Sequence, residues 1–171
     1  MVRILGDLQI MNRIKLSNGY VEYAINKSLS HRGCQLLECA VILFFIAGKS
    51  NFAGILLELG DIKPNIESDI ESQFKLSSSQ CDYLDDISLG ISEEFIIACK
   101  KEIETSNIGP FNGMSLEVAN MSHSDVASSN SNFRIAVHVA LRIISQALAN
   151  KEINDNYILK SLNEVRQFNL K

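Results

Sequence analysis

L-L-E-C-A-V-I-L-F-F-I-A-G-K-S-N-F-A-G-I-L-L-E-L-G, residues 36–60, contains the longest apolar run of the chain, and its reading decides the fold. Leu36, Leu37, Ala40, Phe44 and Ala47 return at intervals of three and four. They mark one face of a helix that ends near Gly48, a residue able to take the left-handed conformation that closes helices. Phe52, Ile55, Leu56 and Leu59 restart the same period up to Gly60. The unbroken part, 39–47, is far shorter than the ~18 residues a membrane-crossing helix needs. A buried helix followed by a second one is the expectation.

The period continues outward. After Pro64, which the first turn of a helix tolerates, Ile66, Ile70 and Phe74 follow Ile62 at intervals of four. Leu84, Ile87, Ile91, Phe95 and Ala98 line a further apolar side that Gly90 bends or splits, with Ser79 as a cap. Residues 105–114 hold Gly-Pro and Asn-Gly, both turn signals, and form the longest connection. Beyond it Phe133, Val137, Leu141, Ile144 and Leu148 give one helix a buried stripe. Ile158, Leu162 and Val165 give the last helix a shorter one behind an Asn154 or Asp155 cap. Residues 1–19 are less regular. A helix over 20–30 competes there with a small β-hairpin at Asn18-Gly19, and the helix is preferred. The expected fold is an all-α, single-domain antiparallel bundle spanning 1–171, with about six to eight helices and a small N-terminal β-hairpin as the one alternative feature.

With 171 residues, 46% hydrophobic and 21% charged, the chain has the composition of one globular domain. Asp7 and Arg13 interrupt what a secretory leader would need as an apolar stretch, so a cytoplasmic location is expected. Cys34, Cys39, Cys81 and Cys99 lack the paired spacing of zinc sites, and they read as reduced core residues; neither metal nor cofactor is expected.

Charge is uneven. Residues 61–94 carry nine acids against Lys63 and Lys75, a local balance of −7 in a chain whose total is −4. Glu67, Asp69, Glu71, Asp82, Asp85, Asp86, Glu93 and Glu94 are the candidate protein-binding residues in this segment. Such a field repels nucleic acid and steers a basic protein toward itself.

Arg134, His138 and Arg142 recur every four residues in N-F-R-I-A-V-H-V-A-L-R-I-I, residues 132–144, and so share one side of a helix. An arginine holding a phosphate beside a histidine moving a proton is a metal-free route to RNA cleavage. The competing reading is a hydrated row opposite the buried stripe. His123 reads as part of a helix-starting turn capped by Ser124 or Asp125, and His31 has no recognisable catalytic partner. Nucleotide-binding, α/β-hydrolase and metalloprotease motifs do not occur.

The stretch 28–64, S-L-S-H-R-G-C-Q-L-L-E-C-A-V-I-L-F-F-I-A-G-K-S-N-F-A-G-I-L-L-E-L-G-D-I-K-P, resembles the first helical pair of HEPN-type proteins of bacterial conflict systems, abortive-infection members included. The resemblance implies an antiparallel helical bundle that acts as an RNA-cutting toxin or as a degenerate, non-catalytic relative. Its ribonuclease members set four to six residues between arginine and histidine; three separate Arg134 from His138. The leading functional expectation is a non-enzymatic immunity protein or antitoxin that covers a basic toxin, a nuclease, with its acidic segment. No direct contact with nucleic acid or membrane is expected, and homo-oligomerisation is left open. The alternative is a HEPN-like metal-independent ribonuclease using Arg134 and His138.

Overall fold

The computed structural model describes residues 12–29, 35–61, 87–109, 111 and 114–168. Two long strands, β3 (Gln35–Ala47) and β4 (Lys49–Asp61), occupy the stretch that holds the longest apolar run. They form a hairpin whose pairs run from Leu36↔Gly60 to Ala47↔Lys49. Gly48 sits alone at the tip with φ +73°, a left-handed conformation that closes a hairpin here and not a helix.

An all-α bundle of six to eight helices is therefore incorrect. Among the described residues, six strands form one antiparallel sheet, with three helices beside it. The strand order is β1 (Asn12–Leu16), β2 (Gly19–Leu29), β3, β4, β6 (Met114–Ser124) and β5 (Ile87–Leu89). The helices are α1 (Glu93–Thr105), α2 (Asn130–Leu148) and α3 (Asp155–Phe168). The physical reason for the error is burial on both faces. Cys39, Val41 and Leu43 face the helices, while Ala40, Ile42 and Phe44 pack on the opposite face with Phe52 and Leu56 of β4. A strand buried on both sides reads as an unbroken apolar run, and such a run satisfies intervals of three and four as readily as two. Val41, Ile42, Phe44, Phe45 and Ile46 are strand formers, and propensity carried the signal that periodicity hid.

The N-terminal hairpin replaces the preferred helix over 20–30. β1 and β2 pair from Leu16↔Gly19 to Asn12↔Tyr23, joined by Ser17 and Asn18. The side-chain amide of Asn18 donates to Ile46 O at 2.8 Å, and Ile46 N donates to Asn18 O at 2.7 Å. Gly19 is required at this crossing because a Cβ there would lie 2.0 Å from Phe44 O. The likeness of 28–64 to a helical pair rests on helix, glycine turn, helix; the described part of that stretch is strand, glycine turn, strand.

The helices form the second layer. α2 lies across β3 and β4 and is flanked by α1 and α3. Phe133, Val137, Leu141 and Ile144 are wholly buried, whereas Leu148 at the end of α2 is exposed. Phe133 stacks on Phe95 of α1 with ring centroids 4.6 Å apart. Ser129, not Ser124 or Asp125, caps α2, its hydroxyl accepting from Asn132 N at 3.3 Å. Asn154 caps α3 by accepting from Tyr157 N at 3.0 Å. Helices expected over 62–74 and from Ser79 onward fall mostly outside the described residues; what is described there is β5 and, from Glu93, α1. Among the described residues no helix is long and apolar enough to cross a membrane.

Candidate functional site

The row Arg134, His138, Arg142 does fall on one side of α2, but that side faces two other helices. Glu102, at the last turn of α1, accepts from Arg134 Nε at 3.1 Å with one oxygen, while its other oxygen lies 3.2 Å from His138 Nδ1. Glu164 of α3 lies 3.3 Å from His138 Nε2 and 2.8 Å from an Arg142 guanidinium nitrogen. Two carboxylates and two guanidiniums thus enclose one imidazole, which is only 8% exposed. The Tyr157 hydroxyl donates to Arg142 O at 3.1 Å and joins α3 to α2 again. Burial raises the pKa of Glu102, but hydrogen bonds from His138 and Arg134, together with their charges, outweigh it and hold the carboxyl below its ordinary range.

This arrangement bears directly on chemistry. Cleaving a phosphodiester needs a guanidinium free to hold phosphate and an imidazole free to reach a proton. Here each guanidinium holds a carboxylate, and both imidazole nitrogens face one. A substrate could meet the outer parts of Arg134 and Arg142, which stay more than a third exposed, but would have to displace a glutamate to reach either imidazole nitrogen.

The sequence reading missed Glu102 and Glu164, and Glu102 left a signal. It stands at the next buried position after Phe95, Ala98 and Cys99 on α1, and a carboxylate on an apolar stripe needs a cationic partner. His123 belongs to β6, where its ring lies 5.8 Å from that of Phe95. His31 lies outside the described residues.

Of the eight acidic candidates, Glu93 and Glu94 are exposed in the first turn of α1, where negative charge suits the helix dipole. Glu67, Asp69, Glu71, Asp82, Asp85 and Asp86 lie outside the described residues, as do Cys34 and Cys81. Cys39 and Cys99 are buried free thiols; burial pushes Cys99 up to about 12 and Cys39 higher still, so both are inert at neutral pH. No metal-holding cluster of His, Cys, Asp and Glu occurs among the described residues.

A second group of acids, absent from the sequence reading, lies on the sheet face turned away from the helices. Asn26, Glu38, Glu58 and Glu117 pair directly across β2, β3, β4 and β6 and form one row. Asn26 donates to Glu38 at 3.0 Å. Glu58 Oε1 is buried without a hydrogen-bond partner among the described residues. Burial, then the neighbouring Glu38 and Glu117, push Glu58 up to about 7. Glu38 and Glu58 each interrupt an apolar run, which is the mark they leave in the sequence. Farther along the face, Glu22 pairs with Arg13, and the Arg13 guanidinium lies 4.4 Å from the Tyr20 ring centre.

The chain matches no protein-family model, no curated protein and no solved structure, so its geometry is the basis for a functional reading.

Proposed function

We propose that this chain is a non-enzymatic protein-binding module that takes up a basic partner, in the manner of an immunity protein or antitoxin engaging a nuclease. The observation that carries the reading is the fate of the one reactive-looking row. Arg134, His138 and Arg142 are committed to Glu102 and Glu164 between helices, where they hold α1 and α3 to α2. The same closure counts against a HEPN-like ribonuclease. Its support on the binding side is electrostatic: the −7 segment and the exposed Glu93, Glu94 and Glu117. Steering by such a field raises association rates and weakens with salt.

Capture with the purified full chain from its native cell, followed by identification of bound protein and RNA, tests the proposal. A stoichiometric basic protein whose association slows in added salt is the expected result. RNA cleavage that persists in chelator and disappears in His138→Ala would overturn it.

A further inference from the structure

Among the described residues, the outer edge of β6 is open over much of its length. β5 pairs only with Ser122, His123 and Ser124, and Gly90 N donates to Met121 O at 3.0 Å before the chain enters α1. Along 114–119 no described strand pairs with that outer side. An open edge invites another strand, and natural sheets usually block theirs with lysine, proline or a covering element. β6, M-S-L-E-V-A-N-M-S-H-S, has neither lysine nor proline. The charge it does carry is Glu117, exposed at the end of the Glu38–Glu58–Glu117 row.

We propose that the edge at 115–118 receives an extended segment of a basic partner protein as an added strand, with lysine or arginine beside Glu117 and apolar residues beside Leu116 and Val118. This rests on the binding-module reading and names how the module would bind. Side chains directly opposite on neighbouring strands lie about 4.5–5.5 Å apart, so a cation there ends a ladder of like charges that has an amide at one end and, among the described residues, no partner at the other. Leu116 and Val118 are half-buried against the helix-facing core, leaving apolar surface for the alternate side chains of an incoming strand. Main-chain hydrogen bonds would supply affinity, and the alternation of basic with apolar residues would supply specificity. A second copy is a poorer occupant, because in-register pairing brings another Glu117 to the same edge.

The test uses a capped eight-residue peptide alternating lysine with valine, titrated into the full chain and followed by amide hydrogen exchange. Slowed exchange confined to amides within 115–118 is expected. Binding should weaken at least about tenfold when alternate peptide nitrogens are methylated, and likewise in Glu117→Lys. Equal binding of the methylated peptide would overturn the proposal by reducing it to charge attraction. Absence of binding, protection elsewhere, or equal binding of a glutamate–valine peptide would overturn it too. A basic partner captured from cells would survive those failures, so the mode of binding and the binding itself are tested apart.

Discussion

Glu102 faces one guanidinium and one imidazole, whereas Glu58 faces two other carboxylates, and the two therefore respond oppositely to acid. The folded pKa of Glu102 lies below its unfolded value. Its stabilising contribution is complete above the ordinary carboxylate range and is lost as pH falls through the lowered value. Glu102→Gln should cost roughly 1–3 kcal/mol at pH 7 in urea titrations, with the cost shrinking toward acid. For Glu58 the sign reverses. Its folded pKa of about 7 exceeds the ordinary 4.5, so its contribution is fully present below 4.5 and disappears as pH rises through 7. Glu58→Gln should accordingly stabilise the protein at pH 8, by about 1–3 kcal/mol, and leave it little changed at pH 4. Unfolding midpoints of both variants at the two pH values check the pair.

At the scale of elements, the β1–β2 hairpin depends on Gly19, where β3 backbone leaves no room for a methyl group. Gly19→Ala should destabilise by about 2–3 kcal/mol in thermal or urea unfolding, because backbone cannot give way as a flexible side chain does. Ser129→Ala removes the hydroxyl at the start of α2 and should cost about 1 kcal/mol in the same measurement. These two sites also show what sequence could and could not disclose. α2 and α3 were legible because one face of each is apolar and the other polar, which is the condition under which a period can be read. β3 and β4 were not, since Ala40, Ile42, Phe44, Phe52 and Leu56 fill the positions where a half-exposed strand would alternate. β6 does alternate, with Met114, Leu116 and Val118 against Ser115 and Glu117, yet it follows a turn-rich connection and precedes a strong helix. Arg134 and His138 were identified as a pair from spacing within one helix. Their partners come from α1 and α3, a tertiary relation that no local period encodes.

For the whole molecule, the charged row of α2 is shared with α1 and α3, while Glu93 and Glu94 on α1 and Glu117 on β6 stay exposed. Reversal of Glu93 and Glu94 to lysine should slow association with a basic partner severalfold at low salt and have little effect at high salt, as stopped-flow mixing would record. The order of strands adds a consequence in time. β1 to β4 pair with their neighbours in sequence, while β6 reaches β4 only after the long excursion through α1. Early contacts cost less chain entropy than distant ones. The meander should therefore assemble before β6 arrives, so that Leu57→Ala retards refolding whereas Leu116→Ala chiefly hastens unfolding.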